Sequence, residues 1–380
     1  FVYNGIALTI CGTLYNLLLL KISMRRGYLF MIILFTGLIA LASRYEHVEY
    51  RWFVFFLYLA NYLFTFFLDM HYFNFIYQYM TLRNSKRILP FLMGGGKFGG
   101  MLASALCFGI FAKDLSRYGF YMWAASGALL IIPVFMLRGR PGAAGSAPSS
   151  GMRELLPDIR FLEKMIRKIR LSYSSPIFAW SVLLVFMMSI VNQISEYYFA
   201  HIFNTSFATK QELAGFLSIY TLSADFLTLV LQLFLVSRII KRMGINKANF
   251  VYPGSFLAFM AFAVAGPGII AGVLLRFFRK NMSLLFRVPV FNIIMAASPR
   301  DRMAEVKSFI SGIVSPLGMV AGGGFLLLIY KKLPETQGYV LSLCTGAALI
   351  GLTWLQNRAY RNTLKRRLSL ELTQGQRHRE

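Results

Sequence analysis

Apolar residues in this chain do not alternate with polar ones but run on for about 18 residues at a time, interrupted by short polar and glycine-containing breaks. An α-helix rises 1.5 Å per residue, so runs of that length match the roughly 30 Å thickness of membrane hydrocarbon and read as spans. The pattern predicts helices over residues 1–20, 27–43, 52–78, 88–111, 118–137, 176–201, 212–239, 248–266, 268–292, 305–330 and 338–357, about eleven in all. One segment breaks the rhythm. RGRPGAAGSAPSSG, starting at Arg138, has the Pro/Gly/Ser content of a flexible connector, and MRELLPDIRFLEKMIRKIRLS after it has the pattern of a basic amphipathic helix lying on a membrane surface. The chain therefore divides into an N-terminal helical bundle (1–138), a linker (139–175), a C-terminal bundle (176–358) and a basic tail (359–380).

Charge gives the bundles an orientation. Lys21, Arg25 and Arg26, then Arg83, Lys86 and Arg87, then Arg238, Lys241, Arg242 and Lys247, and finally the tail from Arg358, fall on one side of the alternating spans. The opposite loops carry fewer cations, and several also hold Asp or Glu. The positive-inside rule puts the richer side, with the linker and the C-terminus, in the cytoplasm. That orientation sets Phe1 outside and predicts one more helix ahead of it, twelve in the intact protein.

Composition removes whole classes of function. With 57% hydrophobic and 14% charged residues in 380, there is too little polar surface for a soluble globule. The net charge of +25 sits in short loops rather than on one solvated domain, so it calls for no nucleic acid. Cys11, Cys107 and Cys344 stand singly in apolar runs, where they read as small core residues and not as a disulfide framework or metal site. No HExxH, CxxC or phosphate-cradling glycine loop occurs. The expectation is no enzyme and no cofactor.

The informative residues are charges inside the spans, which are costly there and face a watery cavity or a partner. On an α-helix, Arg276, Arg279, Lys280 and Arg287 share a stripe of roughly 100°, the first three near mid-membrane. Asp69 and Lys97 fall at similar depths on successive spans and are candidates for an ion pair. Glu196 and Asp225 are lone acids suited to coupling or to neutralising an arginine, and Asn61 and Lys307 are further intramembrane polar groups. Two glycine-rich segments, ILPFLMGGGKFGGMLASAL and FISGIVSPLGMVAGGGFLLL, occupy equivalent places in the two halves, as close helix packing at a rocking interface requires. Lys97, Arg276, Arg279, Lys280, Arg287 and Lys307 together suit a phosphate-bearing anion.

Three blocks, SKRILPFLMGGGKFGG at 85–100, NQISEYYF at 192–199 and VKSFISGIVSPLGMVAGGG at 306–324, resemble the ATP/ADP translocase (nucleotide transporter) family and its bacterial major-facilitator-type relatives. The resemblance implies twelve helices in a major-facilitator fold, nucleotide exchange (ATP:ADP antiport) by alternating access, an intramembrane glutamate at Glu196 and a substrate lysine at Lys307. It also implies that regulatory domains can be appended on the cytoplasmic side. The family's fourth-helix acid corresponds here to Asn61, and its asparagine in the glycine block to Lys97. Two other functions fit the same residues: a lipid or lysophospholipid flippase of this fold, whose anionic headgroup would use the same cations, and a non-transporting membrane sensor.

Overall fold

The computed structural model describes residues 3, 6–7, 10–11, 24–42, 51–77, 82–112, 118–136, 175–266, 268–296, 306, 309–332 and 335–377. Most of the predicted first span, the linker as far as Ser174, and Lys307 lie outside the described residues. Among those described there is no strand. The helices are α1 (Met24–Ala42), α2 (Arg51–Tyr77), α3 (Leu82–Ala112), α4 (Tyr118–Met136), α5 (Pro176–Ser206), α6 (Lys210–Met243), α7 (Ile245–Ala265), α8 (269–296), α9 (310–332) and α10 (Glu335–Arg377). Each corresponds to one predicted span. Five of them, α4 to α7 and the Gln337–Lys365 part of α10, are long and apolar enough to cross a membrane.

The helix boundaries follow from local chemistry. Proline supplies no N–H where the first turn of a helix needs none, and Pro176 opens α5. Between α6 and α7 the chain reverses at Gly244, whose φ of 75° is one that a Cβ would disfavour. Arg358 to Arg377, expected to form a tail, instead prolong the last span, so that α10 is a single helix of 43 residues, about 65 Å long at 1.5 Å per residue.

The chain forms two compact units. One takes in Leu162–Ala208 and Phe226–Glu380. Here α5 is the central helix, packed against α8, α9 and α10, and its buried Ile177, Phe178 and Val185 meet Val290, Ile294 and Ile310. Glycines permit the close approach. A Cβ on Gly318 of α9 would lie 2.7 Å from the Phe186 carbonyl oxygen of α5, and one on Gly272 of α8 would lie 2.6 Å from the Phe203 ring. Three stretches of this unit, Leu231–Val236, Phe278–Arg287 and Ile310–Val314, are π-helical. Such widened turns recur at functional sites.

The other unit takes in Tyr3–Phe161 with Thr209–Asp225. Helix α1 packs on α2 and α4, with Phe35 and Phe64 ring centroids 4.9 Å apart. Beside them lies an apolar cavity of about 330 Å³, whose lining includes Phe53, Phe56, Leu57, Trp123 and a single polar side chain, Asn61.

Two of the cysteines depart from expectation. Cys344 is exposed and Cys107 only half-buried, while Cys11, also half-buried, packs against the Phe35 and Phe64 core. In a membrane-spanning chain the lipid-facing side is as apolar as the core, and an apolar run does not say which way a small residue points.

Candidate functional site

The charged residues of the first unit gather where α8 runs past α5. Arg276 lies on the α-helical first part of α8, and Arg279, Lys280 and Arg287 lie in its π-helical stretch. Helix α5 presents Asn192, Glu196 and Phe199, spaced four and three residues apart and hence on one face. The Glu196 carboxylate pairs with the Arg279 guanidinium. Arg276 packs over the Phe199 ring, 5.3 Å from its centroid, and is near enough to act electrostatically on the same carboxylate. One acid thus acts on two arginines.

Arg287 takes a different course. Bonding from i to i+5 abandons the 3.6-residue period on which the four-cation stripe was reckoned, and Arg287 turns toward α7, its guanidinium 5.8 Å from the ring centroid of Tyr252. Tyr252 is fully buried. Its hydroxyl donates to Asn192 Oδ1 at 2.8 Å, and its ring lies against Phe278 with centroids 4.6 Å apart. The Tyr252 ring is thereby fixed from both sides, and with it the platform under Arg287.

Arg287 also lines a pocket of about 340 Å³ enclosed by α5, α8 and α9. Its polar lining is Arg287, Asn292 and Ser315, and its apolar lining Val185, Val288, Phe291 and Ile310. The Ser315 and Ser189 hydroxyls are 3.2 Å apart and join α9 to α5 at its edge. No carboxylate lines this pocket or pairs with Arg287 among the described residues. A guanidinium beside an amide and a hydroxyl can bind a phosphate or carboxylate through charge-assisted hydrogen bonds.

The remaining predicted residues fall elsewhere. Lys280 is exposed. Lys97, in the second unit, donates through Nζ to Asp225 Oδ1 at 2.7 Å, and Asp225 is buried. The approach is close, since a Cβ on Gly100, one turn beyond Lys97, would lie 2.8 Å from Asp225 Oδ2. Asp225 is thus a partner of Lys97; the sequence pointed to Asp69, whose helical backbone is described but whose side chain lies outside the described ones. No metal-binding cluster of His, Cys, Asp or Glu occurs among the described residues. Asn192, one of several intramembrane polar groups in the sequence, gains a definite place here. Tyr252, Asn292 and Ser315 had no such signal; a tyrosine in a span whose hydroxyl needs a buried partner was the available clue.

No protein-family model matches the chain, and no curated protein matches it in sequence. Among solved structures, a crystal structure of the nucleoside transporter NupG, in a single-substitution mutant form, matches with a TM-score of 0.57 at 16% identity, covering 95% of this chain and 89% of that one. The likeness shows that this chain is an all-α polytopic membrane protein of the major-facilitator fold.

Proposed function

We propose that this protein is a secondary transporter moving a phosphate-bearing anion, a nucleotide, by alternating access. One observation carries the reading: Arg287 lines a pocket of about 340 Å³ with no internal counter-ion among the described residues, whereas Lys97 and Arg279 each have one. A half-buried guanidinium without an anion can accept one through charge-assisted hydrogen bonds; a substrate phosphate supplies that anion, and Asn292 and Ser315 supply polar groups beside it. The fold it shares with a nucleoside transporter supports carriage of a nucleoside-bearing molecule. Glu196 lies where the resemblance to ATP/ADP translocases places an intramembrane glutamate, so exchange of one nucleotide for another is the cycle proposed, with Lys307, three residues before α9 in the sequence, contributing to the same site.

The test is uptake of radiolabelled ATP and ADP into proteoliposomes. Arg287→Ala is expected to lower uptake at least tenfold while insertion and oligomeric profile in detergent stay unchanged, and Arg287→Lys to restore part of it. Undiminished uptake by Arg287→Ala removes the anion site; absence of nucleotide uptake or exchange by the wild type removes the function.

A further inference from the structure

The first unit carries a second basic feature, at the end where α6 turns into α7 and α10 leaves the span. A turn between two spans lies at a membrane surface, and this one exposes Arg238, Lys241, Arg242 and Lys247. On the outgoing part of α10, Arg358, Arg361 and Lys365 are also exposed, and their spacing of three and four residues keeps them on one helix face.

A buried polar network ties the two segments together. Asn249 donates through Nδ2 to Gln356 Oε1 and to Asn357 Oδ1, each at 2.9 Å. Asn357 donates back to the Asn246 carbonyl oxygen at 2.8 Å, and Gln356 donates to Ser181 Oγ of α5 at 2.8 Å. Around it Ala248, Ala359 and Tyr360 share one apolar cluster with Ile177 and Phe178. The two segments that bear the seven cations are therefore joined to each other by buried hydrogen bonds and apolar packing.

Two observations indicate what covers that face. None of the seven pairs with a carboxylate among the described residues, and no acidic residue occurs in either stretch, 237–250 or 351–370. Trp354 is exposed and lies under the Arg358 guanidinium, 5.8 Å from ring centroid to Cζ. An exposed indole on a span settles at headgroup depth, which fixes the level of Arg358.

We infer that this face is a binding site for acidic phospholipid headgroups, which supply the seven missing counter-ions. Basic residues at a membrane surface attract anionic lipid by about fivefold in affinity each, and a rigid mounting removes the ordering entropy that a flexible tail would carry. The Gln356 to Ser181 bond joins the lipid-bound face to α5, the helix that also bears Asn192 and Glu196.

The experiment uses the full purified chain in nanodiscs of phosphatidylcholine with or without about 20% phosphatidylglycerol, reading lipid retained through detergent extraction and the midpoint of thermal unfolding. The wild type is expected to retain phosphatidylglycerol preferentially and to melt higher in its presence, with both effects fading in about 1 M salt. Replacing the three α10 cations by glutamine, and separately the four turn cations, should each reduce retention at least tenfold without changing the midpoint in pure phosphatidylcholine. Exchange of arginine and lysine for one another should retain it. Equal retention by the neutralised and wild-type proteins overturns the site, as does binding of RNA or an acidic peptide with no lipid preference. The outcome is independent of nucleotide uptake.

Discussion

Removing Arg279 or Glu196 singly, and then together, separates a structural ion pair from one that serves transport. The Glu196 side chain is 14% exposed and that of Arg279 28% exposed, so the pair is neither freely solvated nor fully desolvated. Exposed pairs contribute about 0–1 kcal/mol, whereas stripping one partner from a buried pair costs about 3–5 kcal/mol. With this exposure, and with Arg276 close enough to act on the remaining carboxylate, Arg279→Met is expected to cost about 2 kcal/mol, a fall of about 4 °C in melting midpoint. Glu196→Gln strips Arg279 of its carboxylate partner and should cost at least as much. The double variant Glu196→Gln/Arg279→Met should regain most of the loss, because neither charge is stranded. The decisive reading is in ligand response. If a substrate anion takes the place of the carboxylate, added ATP or inorganic phosphate should raise the midpoint of Glu196→Gln more than that of the wild type, while the double variant responds to neither and does not transport. Measurement is by thermal unfolding in detergent, with uptake into proteoliposomes alongside. A double variant no more stable than the worse single one, or a Glu196→Gln protein indifferent to phosphate, refutes the reasoning.

Two further expectations concern the supports of the site. Gly318→Ala forces a methyl against the Phe186 carbonyl oxygen and should destabilise the α5–α9 packing by about 1–3 kcal/mol, while Gly324→Ala, with nothing within 4 Å of its Cβ, should leave the melting midpoint within a degree or two. Tyr252→Phe keeps the ring beneath Arg287 but removes the bond to Asn192, so it should cost about 1 kcal/mol with little change in maximal uptake, whereas Tyr252→Leu should raise the half-saturating nucleotide concentration several-fold; equal uptake curves for both variants would detach Tyr252 from the anion pocket.

The described spans were legible because crossing hydrocarbon imposes a minimum length and polarity that no packing detail overrides. The boundaries 118–137 against Tyr118–Met136 agree to one residue, and 176–201 against Pro176–Ser206 differ where the helix runs on past its apolar stretch. What escaped reading was direction. Spacing alone put Arg276, Arg279, Lys280 and Arg287 on one stripe, yet the widened turns of Phe278–Arg287 leave Lys280 exposed and send Arg287 to Tyr252. Residue identities carry little information about where an i-to-i+5 turn will form. The pairing of Lys97 with Asp225 was hidden for a related reason: it depends on how helices 128 residues apart in sequence lie side by side.

The register of α8 against α5 explains why the cations here differ in what they can do. Reading along α5, Asn192, Glu196 and Phe199 meet in turn the surroundings of Arg287, Arg279 and Arg276, the reverse order expected of neighbouring antiparallel spans. The three contacts are unlike: Asn192 holds Tyr252 and so only steadies the platform of Arg287, Glu196 neutralises Arg279 outright, and Phe199 offers Arg276 a ring face. A carboxylate therefore meets the cation midway along the ladder, and none among the described residues does so at the Arg287 end, where the pocket opens. A carrier needs such a gradation, because a site whose every cation is already neutralised has no electrostatic reason to bind a phosphate, and one with none neutralised would hold it too tightly to release.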